Sequence, residues 1–244
     1  MDLDPFLQGQ EVSTPFGSCY VVQKIVPLNE KHGLWPVGKA LQVTTSSIKK
    51  LGQHPPQDFK ISNSLFLDTE TTGLAGGTGT YAFLVGTGRL TATQLVTKQF
   101  LMRDYNEELA LLYLLDQELQ KTDTTISFNG KTFDLPLLQT RFTISRLGFR
   151  GTHNHHHLDL LHMSRKLWRL RLESCSLNSL ERNILGVARN NDIPGFEIPR
   201  RYFEFLQTGR GELLQDILHH NVIDLISMVT LIYHLGLTTE LDPE

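Results

Sequence analysis

Hydrophobic patterning divides the chain near residue 60. Before that point, GSCYVVQKIVPL (17–28) reads as a β-strand bounded by Gly17 and Pro27. KHGLWPVGK (31–39) and GQHPPQ (52–57) carry the glycines and prolines of turns and linkers. Residues 1–60 therefore read as a small β-rich N-terminal extension ending near Pro55 and Pro56. Beyond it, SLFLDTE (64–70) is a strand. YAFLVGTGRL (81–90) and QLVTKQFLM (94–102) are the arms of a hairpin turning between Thr87 and Thr93, which Gly86 and Gly88 serve. NEELALLYLLDQELQKT (106–122) has Leu109, Leu112, Leu115 and Leu119 at helical spacing behind an acidic start. TTISFNG (124–130) is a short strand ending in a turn, TFDLPLLQTRFTISRLG (132–148) a helix closed by Gly148, and HHHLDLL (155–161) a last short strand. Helical stretches follow around 160–171, 176–186 and 198–208. The final helix, from about Glu212 to His234, carries one apolar stripe of Leu214, Ile217, Leu218, Leu225, Val229 and Ile232. A hairpin followed by helix-linked strands implies an α/β domain over residues 61–244, with a mixed five-stranded sheet and flanking helices.

Composition changes this picture little. Hydrophobic residues make up 40% and charged residues 20% of 244, enough for a sizeable core. No apolar stretch approaches the ~20 residues of a bilayer span, and MDLDPFLQGQ lacks the basic and apolar regions of a secretory signal. Cys19 and Cys175 form no CxxC pair, which argues against a cysteine zinc site. A reduced, cytoplasmic setting without a membrane is the simplest expectation. The net charge of −3 does not advertise a nucleic-acid binder, but acids gathered round bound cations would leave the remaining surface more basic. RKLWRLRL (165–172) concentrates Arg165, Lys166, Arg169 and Arg171 around Trp168, a pattern usual for the solvated face of a helix.

Four acids stand out. In LFLDTETTGL (65–74), alternation puts Phe66, Asp68 and Glu70 on one face of a strand. Residues two apart on that face are ~7 Å apart, so their carboxylates can converge on one cation. Two buried like charges would otherwise raise each other's pKa and destabilise the fold; a hard divalent ion with a preference for oxygen removes that cost. Asp134 opens an apolar helix just past a strand and turn, where the helix N-terminus by itself would welcome an acid. Asp224 sits mid-helix between Ile223 and Leu225, where propensity and burial both disfavour it unless it has a partner.

DTET, FNGKTFD and HHNVID, in this order and spacing, resemble the three motifs of the DnaQ-like (DEDD) exonucleases, which have a ribonuclease H-like fold. The resemblance covers residues 64 to about 235. TTGLAGGTGTYAFLVGTG, FNGKTFDLPLL, DIPGFEIPRRY and HHNVIDLISM, with TPFGSCY and HGLWP in the lead segment, are similar to a YprB-like branch of predicted exonucleases. The resemblance implies that Asp68, Glu70, Asp134 and Asp224 hold two divalent ions, Mg²⁺ or Mn²⁺. It implies a 3′→5′ exonuclease acting on single-stranded ends of DNA or RNA. Thr71, Gly73, Asn129, Arg200 and Arg201 are the candidate substrate contacts. Two ions ~3.5–4 Å apart suit an in-line displacement at phosphorus. The rivals are a non-catalytic nucleic-acid-binding module and a structure-selective endonuclease on the same fold; the glycines of GLAGGTGTYA do not make a dinucleotide site, because no acid occurs between Glu70 and Asp104. They read as a loop beside the active site.

The superfamily's third motif carries either a Tyr four residues before the last Asp or a His five before it; here His220 is at minus four and His219 at minus five. At ~100° per residue, minus four lies about 40° from Asp224 and minus five about 140° away. A continuous helix favours His220 as the group that orients or deprotonates water; a break before Asn221 would favour His219. Asn221 is a candidate orienting residue. HNHHH (153–157) reads as an exposed loop rather than a metal site. Asp159 is either a helix N-terminal charge or a support for the metal site. Tyr202, Phe203 and Phe205 are either core residues or, for Tyr202 and Phe203, platforms for a base.

Overall fold

The computed structural model describes residues 7–73, 78–147, 156–190 and 192–241. Among these, the strands of the main sheet are β1 (Gln10–Thr14), β2 (Gly17–Pro27), β5 (Ser64–Thr71), β6 (Ala82–Leu90), β7 (Gln94–Leu101), β8 (Thr124–Ser127) and β9 (His156–Asp159). They lie in the order β1-β2-β7-β6-β5-β8-β9. Pairings from β1 through β5 are antiparallel, and β5, β8 and β9 run parallel. The five strands expected from the hydrophobic pattern are present, and the N-terminal segment adds β1 and β2 to the same sheet through β2 and β7. A two-stranded ladder of β3 (Lys31–His32) and β4 (Trp35–Pro36) stands apart from it.

The helices are α1 (Thr45–Lys50), α2 (Glu108–Leu119), α3 (Asp134–Ile144), α4 (Leu160–Trp168), α5 (Leu177–Leu180), α6 (Ile198–Thr208) and α7 (Glu212–Leu241). Strand alternation sets the layers. Leu65 and Leu67 of β5 join Leu111, Leu112 and Leu115 of α2 in one apolar cluster, whereas Phe66 joins Leu225 and Val229 of α7 in another. The six stripe residues of α7 are all buried, from Leu214 to Ile232, each such side chain contributing about 1.5–3 kcal/mol. The helix runs past the expected end at His234, to Leu241.

Three expectations need correction. The lead segment is not β-rich throughout: a 3₁₀ stretch spans Val37–Gln42 and α1 follows, with Val37, Ala40 and Ile48 fully buried. A reciprocal cap made by Thr44 and Ser47 explains α1, because it satisfies free N–H groups that a six-residue helix could not otherwise afford. Gly86 and Gly88 do not serve the hairpin turn, which Thr91 closes by accepting from Thr93 and Gln94. They lie mid-strand under α7. A Cβ on Gly86 would meet Asn221 Oδ1 at 2.1 Å, and one on Gly88 would meet Phe66 at 3.4 Å. Finally, α7 is long and apolar enough to cross a membrane by length and composition, with a mean hydropathy of 1.5 over its best window; 67% of that window is buried inside the protein, as expected of a core helix. The helix stop expected at Gly148 lies outside the described residues.

Gly86 is the tightest constraint on how α7 lies on the sheet. Gly86→Ala should lower unfolding free energy by about 1–3 kcal/mol, the usual cost of overpacking. Gly79→Ala, whose added Cβ meets nothing within 4 Å, should be near neutral. Urea denaturation of both variants checks the pair.

Candidate active site

Three segments that are remote in sequence meet on the α7 face of the sheet. β5 supplies Asp68 and Glu70 from alternate positions. Glu70 is 9% exposed and Asp68 keeps a recessed edge open. A register shift at Glu70/Thr71 then turns the chain away. Thr71 Oγ1 donates to the Gly73 carbonyl at 2.9 Å, so its hydroxyl shapes this turn.

Asp134 opens α3 after the loop 128–133, and Asp159 builds that loop. Fully buried, the Asp159 carboxylate accepts from the backbone N–H groups of Asn129 (2.8 Å), Lys131 (3.1 Å) and Leu161 (3.0 Å). It both caps α4 and pins the turn that presents Asp134. Asn129 takes a left-handed backbone (φ 65°) there, and its carbonyl accepts from the Thr132 and Phe133 N–H groups. Thr69 Oγ1 donates to Asp134 Oδ1 at 2.5 Å. Arg141, also on α3, pairs with Glu108 and donates to the Thr78 carbonyl at 2.7 Å, fastening the far side of the glycine-containing loop.

α7 supplies the remainder. It is continuous through residue 221, so His220 and Asp224 share a face, with His220 Nε2 3.6 Å from Asp224 Oδ2. His219 is exposed on another side, lining a groove with Leu7, Val22 and Lys24. Asn221, fully buried, sits over Gly86 and links two strands: its Nδ2 donates to Asp68 Oδ2 at 2.8 Å, and its Oδ1 accepts from Gln99 Nε2 at 2.9 Å. Asp68, Gly86 and Gln99 are cross-strand neighbours on β5, β6 and β7, so one amide spans three strands only because the middle one has no side chain.

The electrostatics follow from this crowding. Burial, then the charges of Asp224, Glu70 and Asp134, push the Asp68 carboxyl well above its ordinary range, against the Asn221 hydrogen bond. Burial, Asp224, Asp134 and Asp192 do the same to Glu70. Burial pushes Asp134 up to about 6, opposed by the Thr69 hydroxyl. Asp224 is also raised by burial, with Arg189 and His220 pulling the other way. Each of these groups would be stabilised by a nearby cation.

One cation is built in. The Arg189 guanidinium donates to Asp224, to Asp192 at 2.9 Å and to both oxygens of Glu181. Asp192 also lies 2.9 Å from His220 Nδ1. Arg189, Asp192, His220 and Asp224 line a cavity of about 470 Å³ together with Ile193, Pro194 and Gly195. Arg189, Glu181, Gln99 and the role of Asp192 escaped the sequence reading. Asp192 stands in DIPGFEIPRRY, and an Arg three residues before this Asp in RNNDIP was the one available signal.

Other candidates lie elsewhere or are otherwise engaged. Arg201 pairs with Asp216 at 2.5 Å and Arg200 is exposed, 3.9 Å from Glu197. Tyr202 is no platform for a base: it is fully buried, stacked on Phe83, and its hydroxyl donates to the Met102 carbonyl at 2.9 Å. Phe205 is likewise core, while Phe203 is 40% exposed. Of HNHHH, residues 153–155 lie outside the described residues; His157 is bonded to Ser127 at 2.7 Å and held neutral, its pKa pushed down to about 4 chiefly by burial.

The donor set fits a hard divalent ion, since four carboxylates contribute only oxygen. Among the described residues, however, no three His, Cys, Asp or Glu side chains stand as a ready-made metal cage. The geometry gives the reason: Asp68 is held by Asn221, Asp134 by Thr69 and Asp224 by Arg189. Each carboxylate must turn partly from its internal donor to take a cation.

Comparison with known proteins agrees with this architecture. "Uncharacterized protein YprB" of Bacillus subtilis (strain 168) is 34% identical over 220 residues, 89% of this chain and 53% of that protein, so the chain spans about half the length of this relative. The family B DNA polymerase of the archaeon Pyrobaculum calidifontis superposes with a TM-score of 0.53 at 13% identity, over 74% of this chain and 24% of the polymerase, a likeness of fold. A sequence model of the RNase_H superfamily matches residues 65–236, which contain all four acids. The chain belongs to the RNase H superfamily.

Proposed function

We propose that this chain is a metal-dependent nuclease, and within that class a 3′→5′ exonuclease on single-stranded ends of DNA or RNA. The observation that carries the reading is the crowding of four largely buried carboxylates from three remote segments into one recess, where burial raises all four and the neighbouring acids raise Asp68 and Glu70 further. RNase H-like nucleases generally use divalent metals, and Asp68, Glu70, Asp134 and Asp224 are the residues that would hold two Mg²⁺ or Mn²⁺ ions. Ions bound there would stabilise the attacking and leaving oxygens of a displacement at phosphorus. His220 takes the proton of the attacking water. Its Nδ1 faces the Asp192 carboxylate, which keeps the proton on Nδ1 and turns the Nε2 lone pair toward the acids. The water oxygen bonds to phosphorus, the P–O3′ bond breaks, the departing O3′ takes a proton from solvent water, and a 5′-mononucleotide leaves. Phe133, 58% exposed beside Asp134, and Phe196, 71% exposed beside the cavity wall at Gly195, offer sequence-tolerant stacking for unpaired bases. The 3′→5′ direction rests on the resemblance to DnaQ-like exonucleases.

A second reading is a nucleic-acid-binding domain without turnover. Arg189 seated on Asp224 favours it, because a guanidinium already compensates one of the ligands.

Labelled single- and double-stranded DNA and RNA with Mn²⁺, with and without chelator, separate these readings. Mononucleotide products are expected; discrete fragments would indicate internal cutting, and intact strands that remain bound would indicate the non-catalytic domain. Asp68→Asn and Asp134→Asn should each lower turnover by about 10³-fold or more, equivalent to several kcal/mol of transition-state stabilisation, with unchanged circular dichroism. Full activity in either variant would refute the assignment.

Stability should report the same charges. Asp134 rises from an ordinary 3.8 to about 6, and its three neighbours shift in the same direction. Across that interval the folded state binds more protons than the unfolded one, so stability falls as pH rises from about 4 through about 6. In chelator, thermal melts should show this loss at the upper end of the interval. Mn²⁺ at 100 times its Kd should restore about 2.7 kcal/mol at pH 7; no change on adding Mn²⁺ would contradict a cation site.

A further inference from the structure

HGLWP (32–36) belongs to no part of the nuclease chemistry, yet most of it is fastened to the two elements behind the carboxylates. His32 Nε2 lies 2.6 Å from Ser227 Oγ on α7. Leu34 N–H donates to the Leu185 carbonyl at 2.8 Å. Gly33 is left-handed (φ 63°), and a Cβ there would strike that same carbonyl at 2.1 Å. Trp35 Nε1 donates to His234 Nδ1 at 3.2 Å, and its ring meets Tyr233 edge-on. Leu185 ends a π-helical turn, Glu181–Leu185, that continues α5 and is closed by Gly186 (φ 66°). Such turns carry an extra residue and recur at functional sites. This one begins with Glu181.

From His32 a single chain of contacts runs inward. Ser227 and Glu181 are both fully buried. Ser227 Oγ donates to Glu181 Oε1. A serine has one proton to give, so with that proton on the carboxylate Ser227 must accept from His32, whose proton is therefore on Nε2. Burial keeps the ring neutral, its pKa pushed down to about 4. Glu181 in turn takes two hydrogen bonds from Arg189 in a fork, one of them 2.6 Å long. The Arg189 side chain is 7% exposed, and its remaining donors go to Asp224 and Asp192.

We propose that the hairpin at residues 31–36 is a positioning element of the carboxylate site, acting through His32, Ser227 and Glu181 to hold Arg189 in place against Asp224. The inference rests on reading Asp224 as a metal ligand. Its physical content is a division of labour. A guanidinium anchored on Glu181 neutralises part of the local charge but stays where it is when Asp224 turns toward a metal ion. A guanidinium released from its anchor follows that carboxylate and competes with the ion. His32 is thus a positioning residue, supplied by the N-terminal segment to a site that it does not touch.

The test uses the full chain and reads Mn²⁺ binding directly, by the electron paramagnetic resonance of free Mn²⁺, beside single-strand hydrolysis and thermal melting. His32→Ala and Ser227→Ala should each weaken Mn²⁺ binding about tenfold, the low end of what outer partners of metal ligands cost. The double variant should lose no more than Ser227→Ala alone, because either change breaks the same chain. His32→Gln should recover most of the loss, since its amide N–H can donate to Ser227. Trp35→Phe, which removes the other hairpin bond to α7, should lower the melting temperature and leave Mn²⁺ affinity unchanged. Wild-type affinity in His32→Ala, or an equal loss in Trp35→Phe, would overturn the proposal. A wild-type chain that binds Mn²⁺ but cuts no strand would remove the nuclease reading and leave the anchor standing.

Discussion

The structure is organised around a concentration of negative charge that the sheet cannot leave uncompensated. Asp68 and Glu70 are raised by burial and by the charges of the acids around them, and Asp134 and Asp224 by burial above all, because the four share a recess from which water is largely excluded. Breaking up buried charge without a partner costs several kcal/mol, so each of three carboxylates is given an internal donor: an amide, a hydroxyl and a guanidinium. These donors orient the carboxylates, but only the guanidinium carries charge. Much of the surrounding architecture exists to place them.

α7 shows how closely packing and chemistry are tied. Its apolar stripe would let it slide along the sheet with modest loss, since Leu, Ile and Val exchange neighbours readily. Asn221 prevents this. Its amide sits in the gap at Gly86 and bonds both Gln99 and Asp68, so a shift of one residue would bury an unpaired amide and strand a carboxylate, each costing about 1–3 kcal/mol or more. The same registration sets Asp224 and His220 one turn apart over the site. A mid-helix acid that propensity disfavours is thus placed by a neighbour three residues away and held by Arg189.

What could be read from the sequence was what depends on local period. Alternation on β5 placed Asp68 and Glu70 on one face, and the 100° step along α7 put His220 with Asp224 and sent His219 elsewhere. The strands and main helices followed from the same two periods. What could not be read depends on partners far along the chain. Arg189 lies 8 residues from Glu181 but 35 from Asp224, and nothing local distinguishes it from a surface arginine. Gly86 looked like turn chemistry because the reason for its missing side chain is an amide 135 residues later; the register Asp68–Gly86–Gln99 has no signature until the strands are paired. The helices between Val37 and Lys50 were hidden by their brevity, one of them held by a two-residue cap rather than by a long amphipathic pattern.

The uneven distribution of compensation bears on how the site would work. Glu181 is saturated by Arg189 and Ser227, and Asp192 is divided between Arg189 and His220. Arg189 therefore cannot move toward β5 without abandoning the buried Glu181 and the partly buried Asp192, and no proton is free on Ser227 to replace it. Asp68, Glu70 and Asp134 are left with neutral donors or with Arg189 acting at a distance. The unmet charge consequently lies on the β5 and α3 side, and a cation arriving from solvent gains most there. In the proposed metal site Asp224, already half satisfied, would be the ligand that joins last, and the firmness with which Arg189 is held would decide how easily it does so.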